Sequence, residues 1–420
     1  MSAAAARWTY PLGLFDAVGV ELEYMIVDRE TLDVRPVADA LFRVATGAEA
    51  ADVEPDGPDG AISWSNELAL HVVELKTQRP APSLDGLWEP FQSHVRRIDD
   101  LLAPMGCRLL PTGMHPWMDP DRETRLWPHE YNEIYETYDR IFGCSGHGWG
   151  NLQSMHLNLP FADDEEFGRL HAAIRLVLPL LPALAASSPL VDGRRARSAD
   201  HRLEVYRTNS DRVPMMAGLV IPEPIFTREA YERDILGKLY EELRPLDPAG
   251  VLRHEFANAR GGMARFDRGA IEIRLLDLQE CPRADLAVAA LVVEVLRAIV
   301  EKRWTSWERQ KQVATEPLHG VLLETIRSAE RASIADATLL EAFGLPPEPI
   351  RAGDVWAALL DRVMPDHATR TPPLARMLAA GTLATRIGRA LPERPTRAEL
   401  RAVYAELADC AHEGSLFRVP

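Results

Sequence analysis

Cysteine is scarce. Cys107, Cys144, Cys281 and Cys410 are the only four in 420 residues, far apart and without a C-x-x-C pair. That spacing supports neither a disulfide framework nor a cysteine zinc site. Long apolar runs are missing as well. No stretch approaches the ~18 apolar residues that span a bilayer. The alanine-rich residues 1–7 lack the apolar core of a signal peptide. The expectation is a soluble, cytoplasmic protein with no membrane partner. Positive charge is in deficit: 47 Lys and Arg face 63 Asp and Glu, a net charge of −16. Nucleic-acid binders present a basic face, so that class is excluded, and any local arginine cluster becomes more informative. No Walker G-x-x-x-x-G-K-[ST] loop and no protein-kinase motif set is present, nor any repeat, low-complexity tract or linker. What is there, 46% hydrophobic and 26% charged residues, suffices for one large or two medium domains with an ample core.

The most informative stretch is 258–277, N-A-R-G-G-M-A-R-F-D-R-G-A-I-E-I-R-L-L-D. Residues 271–275 alternate apolar and charged, the period of a strand with one buried face, so Glu272 and Arg274 share the other face. Gly261, Gly262 and Gly269 precede it, where the chain turns or something approaches closely. Arg260, Arg265, Arg268 and Arg274 gather on this turn and strand. Guanidinium groups present fixed planar donors that suit phosphate and carboxylate. A surface hairpin with a Glu–Arg ion pair satisfies the same pattern.

Three further stretches carry acids or a histidine at strand spacing. In residues 18–27, G-V-E-L-E-Y-M-I-V follows Val18; Glu21 and Glu23 share a face opposite Val20, Leu22 and Tyr24. Two carboxylates on one strand face need solvent or a cation to screen them. Residues 62–77 read as a second acidic strand bearing Glu67 and Glu74. Their odd spacing puts them on opposite faces unless a bulge or bend intervenes, or Glu67 precedes the strand proper. His71, between them, reads as packed or solvated. In 151–160, Ser154, His156 and Asn158 face away from Met155, Leu157 and Leu159. His156 is therefore a structural histidine or a metal ligand on a polar face.

Helical spacing marks 84–102, with Ser83 as N-cap, then 131–142, 164–187 interrupted by Pro179 and Pro182, 227–242 capped by Thr227, and 285–301; the remainder, 302–420, is mainly helical. His115 stands before a proline, lining a cleft or closing a loop. The loop 188–212 carries Arg194, Arg195, Arg197, Arg202, Arg207 and Arg212. It is a solvated loop or a carboxylate clamp centred on Tyr206 and Arg207.

Ligands of this oxygen-rich kind suit Mg2+ or Mn2+ better than zinc, and arginines beside such metals suit a nucleoside triphosphate. At these residues the sequence resembles a known superfamily. G-V-E-L-E-Y-M-I-V-D, S-M-H-L-N-L and R-G-G-M-A-R…A-I-E-I-R-L-L-D are similar to metal- and phosphate-binding strands of glutamine synthetase-like enzymes. More narrowly, E-L-A-L-H-V-V-E-L-K-T, T-G-M-H-P and A-S-S-P resemble the glutamate–cysteine ligase and carboxylate–amine ligase family, over roughly residues 18–300.

The resemblance implies an α+β fold: a curved, mainly antiparallel sheet with the site on its concave face, backed by helices. A catalytic core over 16–300 would carry a helical C-terminal portion, 301–420. It implies ATP and two Mg2+ (or Mn2+) ions, one on Glu23, Glu67 and Glu74, the other on Glu21, His156 and Glu272. Arg265 and Arg274 would contact phosphates, and Arg274 and Arg260 would act in catalysis, Arg260 on the transferring phosphoryl group or the substrate carboxylate. Tyr206, Arg207 and His115, from the reading of their own loops, are the further substrate-binding candidates. The implied reaction joins the γ-carboxylate of glutamate to an amine, cysteine in the commonest case, through an acyl phosphate. Other readings on the same scaffold are a ligase for another amine, an ATP:guanido phosphotransferase, or a non-catalytic nucleotide or amino-acid sensor. The partners expected are small molecules; a homo-oligomer is compatible with all readings. The loop after A-S-S-P and the segment N-L-Q-S-M-H depart from the family pattern and leave the acceptor amine open.

Overall fold

The structure is a computed structural model that describes residues 9–58, 60–253, 257–367 and 371–418. The alanine-rich start, within residues 1–8, and residues 254–256 lie outside the described residues. The centre is an eight-stranded, wholly antiparallel sheet of β1 (Gly19–Asp28), β2 (Asp52–Val53), β3 (Ile62–Asn66), β4 (Val72–Thr77), β5 (Cys107–Leu110), β6 (Ser154–Pro160), β9 (Gly262–Arg265) and β10 (Ala270–Asp277). Spatial order is β2-β3-β4-β1-β6-β10-β9, with β5 paired to the far end of β1. Two small hairpins, β7–β8 (Leu190–Val191, Arg194–Arg195) and β11–β12 (Ser333–Ile334, Ile350–Arg351), stand apart from it.

Period two fixes the two faces. Val20, Leu22, Tyr24 and Ile26 of β1 and Met155, Leu157 and Leu159 of β6 are fully buried in one apolar cluster. Helices Trp88–Leu102, Asp164–Val177 and Pro282–Val300 bring Phe91, Ile98, Leu170, Ile174, Leu291 and Val295 to the same cluster. Each such side chain taken from water contributes about 1.5–3 kcal/mol, so this face sets which way every strand is turned. The opposite face holds Glu21 and Glu23, but further along β1 it becomes apolar. Met25 and Val27 pack with Leu110 beneath Leu400, Tyr404 and Leu407 of the helix Arg397–Glu413. That helix is closed at its start by Thr396 and Glu399 in a reciprocal capping box. The C-terminal helices thus cover one end of the polar face and leave the other end open.

Several elements differ from the sequence reading. Residues 62–77 are two antiparallel strands, β3 and β4, joined at 67–71. The joint contains neither glycine nor proline, so nothing in its composition marks it. The helix expected from 84 starts at Trp88, and Ser83 accepts from the Asp85 N–H instead of capping it. Loop 188–212 contains β7, β8 and the helix His201–Tyr206. All four cysteines are buried and unpaired. No helix among the described residues is long and apolar enough to cross a membrane.

Candidate active site

Strand register lines up the acids. Glu23 is opposite Glu74, Glu21 is opposite His156, and Glu272 is opposite Asn158. Adjacent strands are about 4.8 Å apart, so these groups form one row across β4, β1, β6 and β10. His156 is the hub. Its Nδ1 is 2.9 Å from Glu21 Oε2 and 3.9 Å from Glu272 Oε1, and its Nε2 is 3.8 Å from Glu23 Oε1. Ligand atoms of Glu21, His156 and Glu272 lie within 4.8 Å of one another, and so do those of Glu23, Glu74 and His156. Neighbours on the same face orient the carboxylates. Ser154 donates its N–H (2.6 Å) and Oγ (2.9 Å) to Glu23, Asn158 donates to Glu21 (3.0 Å), and Ser65 donates to Glu74 (2.7 Å).

The row is electrostatically lopsided. At the β4 end, burial and then the charge of Glu21 push the Glu74 carboxyl up to about 7, against Lys76. Burial with Glu74, Glu23 and Glu21 raises Glu67 well above the ordinary range. At the β10 end, burial also disfavours the Glu272 anion, but Arg274, His156 and Arg265 outweigh it and hold the carboxyl at about 2. Between them, burial works against a charged His156, yet Glu23, Glu21 and Glu272 raise it to about 9. The imidazolium is the positive charge that lets the acids stand so close. The donors are carboxylate oxygens with one imidazole, the set that hard divalent cations take, and a cation would relieve the repulsion that lifts Glu74 and Glu67. These residues fit Mg2+ or Mn2+.

The structure brings Glu21, Glu23, Glu74, His156 and Glu272 together, and it brings two arginines with them. Arg274 pairs with Glu272 and meets the Tyr206 hydroxyl, while Arg265 Nη1 is 3.1 Å from Glu272 Oε2. Glu67 stands just after β3 and belongs to neither trio, although its carboxyl feels Glu74 and Glu23. Ending β3 before Glu67 removes the difficulty of its odd spacing from Glu74. Tyr206, buried, donates to the Ala259 carbonyl at 2.7 Å.

Three residues expected at the site face elsewhere. Arg260 is fully buried and bidentate to Glu223 at 2.6 and 2.7 Å, with its remaining donors on Met215 O and Asn258 Oδ1. That pair neutralises it in this structure. His115 is buried with Nε2 on the Leu32 carbonyl (2.7 Å), and burial holds it at about 3, so it closes its loop as a neutral ring. Arg207 pairs with Glu204 at 2.6 Å on the outer side of its helix. Arg268 pairs with Asp267.

Sequence reasoning missed Asp277. Between Ile273 and Leu276, β10 gains one residue relative to β6. This bulge returns Asp277, five positions after Glu272, to the polar face opposite Ser154. Asp277 is fully buried and accepts from Ser187 N–H and Ser188 Oγ (both 2.8 Å) and from Arg202 Nε. Gly113 is obligatory beside it, because a Cβ there would come within 2.5–2.7 Å of the Asp277 carboxylate. The signals that could have found it are the A-S-S-P turn, whose serines donate hydrogen bonds, and Arg202, its charge partner, all far away in sequence.

The family model described as Glutamate-cysteine ligase family 2 (GCS2) matches residues 17–404. The chain belongs to this family. Among relatives, an Archaeoglobus fulgidus protein with no named function is 38% identical over 286 residues, 68% of this chain and 75% of that one. A Nocardioides protein provisionally named glutamate–cysteine ligase 2-1 is 28% identical over 360 residues, 83% of each chain. Two crystal structures share the fold of this glutamate–cysteine ligase family 2 member. One is the bifunctional glutathione synthetase from Pasteurella multocida, with TM-score 0.63 at 14% identity, covering 95% of this chain and 53% of that one; the chain spans about half that enzyme's length. The other is the glutamate–cysteine ligase from Francisella tularensis in complex with AMP, with TM-score 0.57 at 11% identity, covering 98% and 91%.

Proposed function

We propose that this family member is an ATP-dependent carboxylate–amine ligase, with glutamate as the carboxylate and cysteine as the first amine to test. The observation that carries the reading is the single row of Glu74, Glu23, Glu21, His156 and Glu272, ending on Arg265 and Arg274. Glu21, His156 and Glu272 would hold one divalent cation; Glu23 and Glu74, with Glu67 close by, would hold a second. Bound cations supply charge neutralisation at the phosphates of ATP. Arg265 and Arg274 bring planar donors to the same phosphates, and Glu272 and Tyr206 fix the direction of Arg274. An oxygen of the substrate γ-carboxylate attacks the γ-phosphorus, the bond to ADP breaks, and an acyl phosphate forms. The amine nitrogen then attacks the acyl carbon, phosphate leaves, and the nitrogen loses a proton to give the amide. Family membership, the provisional name of the Nocardioides relative and the AMP complex of the Francisella enzyme support the reading. Arg260 is assigned a structural role, because Glu223 occupies it.

The test is phosphate release from ATP and Mg2+ with glutamate, alone and with cysteine or a panel of other amines, using Glu272→Ala as control. Release that needs both glutamate and cysteine and disappears in the variant supports the assignment. Bound ATP with no stimulation by any amino-acid pair sinks it.

A further inference from the structure

A cavity of about 790 Å3 lies away from the acid row, between the hairpin β7–β8, the helix His201–Tyr206 and the end of the helix Thr315–Ser328. Arg194, Arg195, Arg197, Arg207 and Arg327 line it, against only Asp192 and Glu204. The surplus of guanidinium is local, in a chain whose net charge is −16. The acids on this wall are already engaged: Glu204 pairs with Arg207 at 2.6 Å and Asp192 with His147 at 3.1 Å. Arg327 pairs with Glu324 at 2.9 Å, and Arg195 donates to the carbonyls of Gly388 and Leu391, both at 2.6 Å. The guanidinium groups of Arg194 and Arg197 have no hydrogen-bond or ion-pair partner among the described residues, and both residues line the cavity.

The frame that carries them is fixed. The Gly193 and Ala196 N–H groups bond to the Pro116 and Pro189 carbonyls, both at 2.9 Å. Those of Ala199 and Asp200 bond to Arg327 and Ile326 at 3.1 and 3.0 Å. Arg195 ties the hairpin to 388–391. A solvated loop needs none of these anchors; a preorganised binding site does.

We propose that this cavity is a binding site for a small, multiply charged oxyanion, one that carries phosphate groups or several carboxylates. Guanidinium forks match both oxyanions with paired N–H donors, and the volume is that of a small-molecule site. The site is distinct from the acid row because a helix divides them. His201–Tyr206 turns Arg202 and Tyr206 inward, to Asp277 and Arg274, and turns His201, Glu204 and Arg207 to the cavity. A bound anion would rest on the back of the helix that steadies Arg274. The proposal stands independently of the ligase reading, since it concerns binding without ATP or amine.

The experiment is calorimetric titration of the full chain, in metal-free buffer at about 0.15 M NaCl, with tripolyphosphate and separately with citrate. At that salt the screening length is about 8 Å, so diffuse surface attraction is suppressed. One or both probes should bind saturably at one site. Affinity should fall about tenfold or more in Arg194→Ala/Arg197→Ala, since each lost charge-assisted hydrogen bond removes at least that much. It should persist in Arg274→Ala, which disables the other guanidinium group. Preference for tripolyphosphate or for citrate names the anion class. Both variants change partly exposed side chains, and an unchanged thermal midpoint shows that they fold. Absence of saturable binding by either probe overturns the proposal. So does binding that survives the double variant and disappears in Arg274→Ala, which would place the anion on the acid-bearing face.

Discussion

Binding of a divalent cation to this site should release protons. In the metal-free protein His156 holds its proton up to about pH 9 and Glu74 up to about 7. Neither can ligate until that proton leaves, so cation and proton compete. From pH 6 to pH 8, displacement of the His156 proton alone strengthens binding about a hundredfold, and displacement of the Glu74 proton about a further tenfold. Titration with Mn2+ by calorimetry at pH 6, 7 and 8, in two buffers of different ionisation enthalpy, reads both the affinity and the number of protons released. The expected outcome is a rise in affinity of about two to three orders of magnitude, with between one and two protons released at pH 7. His156→Asn should bind more weakly and keep only about a tenfold rise, the share that belongs to Glu74. An affinity flat across this range, with no proton release, would refute the claim that the imidazolium occupies the place of the metal charge. The same pKa shifts act on folding. Both groups bind protons more tightly folded than at their ordinary values of 4.5 and 6.5. Their contributions are complete below those values and are lost as pH rises through about 7 and about 9, so without metal the thermal midpoint should fall from pH 7 to 9.

Three further outcomes test the description. Burial holds His71 at about 4 and His115 and His171 at about 3, so folding excludes protons that the unfolded chain takes up below 6.5. The contribution of these three histidines is therefore full above pH 6.5 and is lost toward pH 4 and below; His171→Phe, beside Phe167, should flatten that fall in a thermal pH series. Gly113→Ala forces a Cβ against Asp277 and should cost about 1–3 kcal/mol in denaturant unfolding; a neutral result would mean that the turn yields. Arg260→Ala should lower stability by about 1–3 kcal/mol, less than a fully buried pair because Glu223 keeps some solvent contact, and should leave the KM for ATP unchanged. A large change in KM with intact stability would return Arg260 to the substrate.

Alternation alone made much of the site legible. Glu21 with Glu23, His156 with Ser154 and Asn158, and Glu272 with Arg274 share a face because a strand admits only two directions. The antiparallel sheet backed by helices followed from the family resemblance, not from alternation. What stayed hidden was set by distant partners. Nothing in residues 258–277 announces that Glu223 will occupy Arg260, or that Leu32 will hold His115. The break between β3 and β4 was hidden because its residues, Glu67 to His71, include neither glycine nor proline. Arg202 and Asp277 were hidden because a buried ion pair 75 residues apart leaves no local pattern.

The bulge in β10 divides the strand into two frames with opposite parity. Residues before it count faces from Glu272; residues after it count from Asp277. The hairpin turn at 266–269 can lengthen or shorten without altering either count. Removal of Leu275, one of the two residues at the bulge, would make pairing with β6 regular while Leu276 stays opposite Met155 and Asp277 stays opposite Ser154, so the ion pair with Arg202 would keep its place. Leu275 is thus held by packing and not by parity: its buried side chain fills the space beside Gly261, where a Cβ would come within 2.5–3.0 Å of it.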